Sequence, residues 1–247
     1  MPSSTRQRLD MLLTARGLAR SRSEARDLIL RGAVLVAGRV AAKPAEMHAD
    51  DVALEIEAGA SGYVSRGALK LAAALNAFDL SVNGVIALDI GASTGGFTQL
   101  LLARGARRVY AVDVGHGQLA ASVASDPRVF SMEGQDARTL TCMEIPEPPE
   151  FLVADVSFIS LRLALPVPLQ LMAQQATMVA LIKPQFELGA GALDKRGVLR
   201  DAAAGQGAVE EISQWLISQH WNVIGSIPSP LPGREGNQEF LLVARQT

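Results

Sequence analysis

A chain of 247 residues, 49% hydrophobic and 19% charged, is long enough to bury a core in one large domain or two small ones and lies far from compositions that stay disordered. Aromatic residues make up only 4%, which argues against a surface built mainly on base stacking, while one cysteine (Cys142) and three histidines (His48, His116, His220) exclude an internal disulfide and a closed Cys/His metal cage. The net charge of −2 conceals a division, because residues 1–43 carry nine Arg/Lys against three acids and residues 44–247 carry 14 against 22. A basic head on an acidic body points to a module that steers a polyanion toward a site elsewhere. The N-terminus turns polar at once, so no secretory leader is expected. The uncharged run 163–182 contains Pro166, Pro168, Gln170, Gln174 and Gln175, and is expected to be a helix followed by a buried strand and not a membrane span. These features together predict a cytoplasmic protein.

In the head, Leu9, Leu12 and Leu13 fall on one face of a short helix ending near Gly17, and Ala25, Leu28 and Ile29 repeat the spacing in a second. Ser21-Arg-Ser-Glu24 fits a capping box and Gly32 a left-handed C-cap, which predicts a helix over about 22–31. Residues 33–40 and 52–56 alternate as short strands. The run Arg8-Leu-Asp-Met-Leu-Leu, Gly17-Leu-Ala-Arg-Ser-Arg22, Ala25, Leu28-Ile29, Gly32-Ala-Val34 and Val36-Ala-Gly38 resembles the S4-type RNA-binding domain. The resemblance implies that Arg6, Arg20, Arg22, Arg26 and Lys43 meet the phosphates of a structured RNA.

In the body, Val85-Ile-Ala-Leu-Asp89 reads as a strand, Ile90-Gly91-Ala-Ser-Thr-Gly95-Gly96 as a loop, and Phe97 with Leu100, Leu101 and Leu102 as a helix ended by Gly105. A dinucleotide fingerprint wants Gly where Ser93 stands, which weakens a nicotinamide reading. Arg108 to Asp113 reads as a second strand whose terminal acid suits the paired hydroxyls of an adenosine ribose. This pattern resembles the class I S-adenosylmethionine-dependent methyltransferases, which implies a donor site at Asp89, Gly91, Ser93, Gly95, Gly96 and Asp113. Another nucleotide, or a turn needing Gly for shape alone, stays open on these residues. Phe151 to Asp155 and Met178 to Lys183 are further apolar runs that end in a charge, followed in the second by Pro184. In an open parallel sheet those ends form the ligand-binding edge.

Four segments, Tyr63-Val-Ser-Arg-Gly-Ala-Leu-Lys70-Leu71, Ala154-Asp155-Val-Ser-Phe-Ile-Ser160, Leu181-Ile-Lys183-Pro-Gln-Phe-Glu187 and Gly236-Asn-Gln-Glu239-Phe-Leu, resemble the TlyA (haemolysin A) family of ribosomal RNA methyltransferases. Lys195 to Asp201 and Ser229 to Gly236 extend the likeness to essentially the whole chain. The resemblance implies an α/β protein: a Rossmann-like, FtsJ-type class I methyltransferase domain over 61–247 behind a small α+β S4-type domain over 1–60. It further implies 2′-O-methylation of ribosomal RNA, at a cytidine, by a tetrad that falls on Lys70, Asp155, Lys183 and Glu239, with Arg66 added to the RNA-facing residues.

A ribose hydroxyl is a weak nucleophile, so Lys183 is assigned as its general base or its orienter. A base role requires Nζ to shed its proton, which desolvation and Lys70 favour and which Asp155 and Glu239 oppose. Both roles stay open. No metal is expected, because a sulfonium donor carries its own leaving group. Asp136, near the adenine position, departs from the Asn expected of the family. The small-residue stretch 58–62 reads as a flexible linker. The short end after Phe240-Leu-Leu-Val-Ala resembles relatives that modify only the large-subunit RNA, and a monomer is expected. The competing readings are a non-catalytic ribosome assembly factor and a membrane-active haemolysin.

Overall fold

The computed structural model describes residues 6–19, 21–30, 32–41, 43–56, 63–201, 203–233 and 235–247. It divides into two compact units, Met1–Arg66 and Gly67–Thr247. The expected boundary at 60/61 and the linker 58–62 fall on residues outside those described.

The first unit contains β1 (Arg6–Arg8), α1 (Leu9–Ala15), α2 (Arg22–Leu30), β2 (Val34–Val36), β3 (Arg39–Val40), β4 (Met47–Ala49) and β5 (Leu54–Ile56). Leu9, Leu12 and Leu13 of α1 and Ala25, Leu28 and Ile29 of α2 are buried, as their spacing predicts. The backbone N–H of Glu24 donates to Ser21 Oγ at 3.1 Å, so the side chain before α2 satisfies one of the helix's free amides. Gly32 lies at φ +68°, in the left-handed conformation that ends a helix. The strands form a three-stranded sheet of order β3-β2-β5 and a separate antiparallel pair of β1 with β4.

Asp10 is fully buried in this unit, and Arg8 grips it through Nε to Oδ1 at 3.0 Å and Nη2 to Oδ2 at 2.8 Å. Arg22 Nη2 reaches Oδ2 at 3.3 Å. The hydrogen bonds from Arg8, and after them those from Arg22, outweigh desolvation and hold the Asp10 carboxyl down at about 2.

In the second unit, α3 (Gly67–Ala77) leads into β6 (Ile86–Ile90), α4 (Gly96–Ala103), β7 (Arg108–Asp113), α5 (Ala121–Ala124) and β8 (Val129–Glu133). Then come β9 (Phe151–Ala154), α6 (Leu161–Ala164), α7 (Pro166–Gln170), β10 (Thr177–Ile182), α8 (Pro184–Glu187), α9 (Ala204–Ser218), β11 (Trp221–Pro228) and β12 (Phe240–Gln246). The expected single helix before β10 is two short ones, because Pro166 has no N–H to continue α6 and begins α7 instead.

One seven-stranded sheet runs β11-β12-β10-β9-β6-β7-β8. It is parallel from β10 through β8, and β12 lies antiparallel between β10 and β11. Strands β6 and β10 are buried along their central residues, which explains why they read as unbroken apolar runs. The chain starts in the middle at β6, winds out to β8, and returns to β9 on the other side. Strand order therefore reverses between β6 and β9, and a crevice opens there beyond their carboxyl ends.

Candidate functional site

The loop after β6 enters that crevice. Gly91, Ser93 and Gly95 lie at φ +83°, +48° and +91°, a run of left-handed positions that two glycines make cheap and Ser93 adopts at some cost. A Cβ on Gly91 would stand 2.5 Å from the carbonyl oxygen of Asp155, and one on Gly95 would stand 2.7 Å from Leu119 Cδ1. The loop thus lies directly on the backbone that follows β9. Gly96 opens α4.

Asp113 closes β7, and each of its oxygens accepts one backbone amide: Oδ2 from Ser93 at 2.8 Å and Oδ1 from Gly115 at 2.7 Å. One lone pair on each oxygen is left for a ligand. The turn carrying Gly115 is itself anchored by Glu133, whose Oε1 accepts from the N–H groups of Gln118 at 2.6 Å and Leu119 at 3.0 Å. Asp136 caps a 3-10 turn and pairs with Arg138 at 2.6 Å, so its carboxylate is already engaged.

Asp89, expected at the strand's end, sits inside β6 and is fully buried. Its Oδ2 accepts from Thr98 Oγ1 at 2.6 Å, while Oδ1 has no hydrogen-bond partner among the described residues. Burial, opposed by Thr98 and reinforced by the charges of Asp155 and Asp113, pushes this carboxyl up to about 7.

The four tetrad positions form two ion pairs. Lys70 of α3 and Glu239, both buried, meet at 2.5 Å across 169 positions of sequence. Lys183, which follows β10, meets Asp155 Oδ1 at 2.7 Å and donates to Ser157 Oγ at 2.8 Å. Neighbouring parallel strands β9 and β10 end side by side, which is why the residues after them come into contact.

Sequence reasoning missed Phe158. It is 91% exposed, holds φ +65°, and its ring centroid lies 5.2 Å from that of Phe186. A large aromatic in the left-handed region is a rare and strained choice. The low aromatic count therefore concealed a two-ring shelf formed by Phe158, in the loop that follows Asp155, and Phe186 of α8. The sequence signal was an aromatic placed between a strand-ending acid and the next helix.

Of the residues expected to face RNA, Arg26 and Lys43 are exposed and Arg6 donates to the Met47 carbonyl at 3.1 Å. Arg22 is also committed to Asp10, and the Arg66 guanidinium lies over Gly32, where a Cβ would approach its Nε to 2.8 Å. Arg20 lies outside the described residues.

Residues 63–246 match the family model of the FtsJ-like methyltransferases, and residues 7–47 match that of the S4 domain. Over 241 residues the chain is 45% identical to the 16S/23S rRNA (cytidine-2′-O)-methyltransferase TlyA of Mycobacterium tuberculosis, covering 97% of this chain and 90% of that relative. The chain belongs to the TlyA family of FtsJ-like methyltransferases. Its fold is accordingly the expected Rossmann-like α/β domain joined to an S4 domain, and the nicotinamide alternative falls away. Hemolysin A of Brachyspira hyodysenteriae is a further relative, 39% identical over 95% of this chain and 98% of its own. A solved structure from Streptococcus thermophilus that carries the hemolysin name superposes with a TM-score of 0.77 at 38% identity, covering 99% of this chain and 90% of that one. Among the described residues no helix is long and apolar enough to cross a membrane.

Proposed function

We propose that this TlyA-family chain transfers a methyl group from S-adenosylmethionine to the 2′-hydroxyl of a cytidine in ribosomal RNA, with residues 1–60 recognising the RNA and residues 61–247 performing the reaction. The observation that carries the reading is the pair Lys183–Asp155, which stands at the crevice edge with the backbone of Asp155 in contact with the Gly91 loop. The donor loop and the proton-handling pair are thereby brought side by side.

The residues fit the donor. Gly91, Ser93 and Gly95 turn the loop through left-handed conformations that seat it against Asp155 and Leu119, Asp113 retains acceptor capacity for two ribose hydroxyls, and the unpartnered Oδ1 of Asp89 lies in the strand that leads into the loop. When bound, S-adenosylmethionine supplies an electrophilic sulfonium methyl group that needs no further activation. Lys183 Nζ, anchored by Asp155 and Ser157, holds the 2′-hydroxyl in line, and as the hydroxyl oxygen takes the methyl group Nζ passes one of its protons to the Asp155 carboxylate and accepts the hydroxyl proton in its place. The buried Lys70–Glu239 pair forms the second half of the charge arrangement and fixes Glu239 at the start of β12. Phe158, backed by Phe186, offers a flat apolar face to the base of the target nucleotide. Stacking on an aromatic ring is worth about 1–3 kcal/mol, comparable to the cost of unstacking a base. Exposed Arg26 and Lys43, with Arg6, Arg20, Arg22 and Arg66, contact phosphates and set register. Asp136, assigned to the adenine, would contact it by giving up its bond with Arg138.

We further propose that the chain acts on its ribosomal substrate as a monomer in the cytoplasm. The test is to incubate the full chain and methyl-labelled donor with large and small ribosomal subunits from cells lacking the protein, then map 2′-O-methyl groups. Label at a cytidine ribose of either subunit is expected. Label on bases only, or none on ribosomal RNA, would overturn the proposal.

A further inference from the structure

We infer that Glu187 is a positioning residue for methyl transfer, a carboxylate clamp that ties the turn after Lys183 to the loop after Asp155 and so fixes the reacting pair and the Phe158 shelf against each other. The inference rests on the functional reading above. Glu187 ends α8, four residues beyond Lys183, and is buried. Its Oε2 accepts from Ser160 Oγ at 2.5 Å and its Oε1 from the backbone N–H of Leu161 at 2.9 Å.

Loop 155–160 has no regular structure and contains the strained Phe158, and such a conformation persists only where its surroundings over-determine it. Segment 183–187 supplies those surroundings. Lys183 holds Asp155 and Ser157, Phe186 packs against Phe158, and Glu187 holds Ser160 and Leu161. The loop is therefore pinned at its start, its middle and its end by one short stretch of chain, and the end pin is the Glu187 carboxylate. Two oxygens bound to adjacent residues make that pin stiff in direction as well as distance. Arg162 completes it, donating Nη2 to the Glu187 carbonyl at 3.3 Å and pairing with Glu211 of α9 at 3.3 Å. Burial raises the Glu187 carboxyl above the usual carboxylate range, with the Leu161 and Ser160 bonds and Arg162 opposing the rise and Glu211 adding to it. The clamp is thus maintained at a cost in desolvation.

The test uses the full chain, ribosomal subunits as acceptor and saturating donor, with kcat and KM for the acceptor measured beside donor affinity by calorimetry. Glu187→Ala is expected to lower kcat by roughly 10- to 100-fold, the scale of a small misplacement of reacting groups, with KM and donor affinity nearly unchanged. Glu187→Gln, whose carbonyl can accept from Leu161 and whose amide can donate to Ser160, should restore most of the rate. Ser160→Ala breaks one arm alone and should lower kcat by a smaller factor in a chain that keeps the Leu161 bond. Wild-type kcat in Glu187→Ala, or Gln as impaired as Ala, or a rate loss matched by equal loss of donor binding in Ala and Ser160→Ala alike, would overturn the inference. Failure of the functional reading is distinct, because the wild-type chain would then transfer no methyl to ribosomal RNA.

Discussion

Asp89 occupies the centre of the sheet, fully buried, with a carboxyl that desolvation pushes up to about 7. Its folded-state value lies above the ordinary value near 4, so the folded chain binds the proton more tightly than the unfolded chain does. Stability from this group is present below pH 4 and is lost as pH rises through about 7. A strongly perturbed carboxyl under a glycine loop is a pattern that functional positions favour. Replacing Asp89 with Asn keeps the shape and removes the titration. The unfolding free energies of the two proteins, measured by denaturant from pH 5 to pH 8, should diverge with rising pH in favour of Asn, toward a limit of roughly 4 kcal/mol. Parallel curves would mean that Asp89 is not held in the protonated range. Asp10 carries the opposite sign: held down at about 2, it contributes stability above pH 4 that is lost as pH falls toward 2.

Among the elements, those whose signals are local were legible. Ser21 and Gly32 delimit α2 by capping chemistry that acts within a few residues, and the buried strands β6, β9 and β10 announce themselves as apolar runs ending in a charge. Elements defined by distant partners were not. The β1–β4 pair joins residues some 40 positions apart. Helix α2 serves packing and, on the proposed function, recognition as well. Arg22 at its start bonds the buried Asp10, whereas Arg26, one turn later, is exposed. Arg22→Ala should therefore lower both the melting temperature and RNA affinity, while Arg26→Ala should lower RNA affinity alone and reduce its salt slope by about one phosphate contact. Equal melting temperatures for the two variants would contradict the structural role of Arg22.

The molecule as a whole separates charge as it separates labour, with an excess of six positive charges in residues 1–43 and of eight negative charges in the remainder. On the proposed function, affinity for a polyanion belongs to the basic unit and chemistry to the other. The residues of the candidate site could be named from sequence because each stands at a strand end or within a family motif. Their arrangement could not, since Lys70 finds Glu239 only through the packing of α3 against β12, and Phe158 reveals itself only by its exposure and backbone angle. The role of Glu187 was hidden for the same reason: its partners Ser160 and Leu161 lie 27 and 26 positions back in the chain, after the neighbouring strand β9.

The central claim is that Lys183 handles the hydroxyl proton in an otherwise preassembled site. Lys183→Met keeps most of the stem volume and deletes the ammonium, so the single-turnover rate of methyl transfer to ribosomal RNA tests it most directly. A fall of roughly 10²–10⁴-fold, with donor and RNA affinity nearly unchanged, is the expected result. A Lys183→Met chain that methylates ribosomal RNA at close to the wild-type single-turnover rate would contradict the assignment and move the chemistry to another residue.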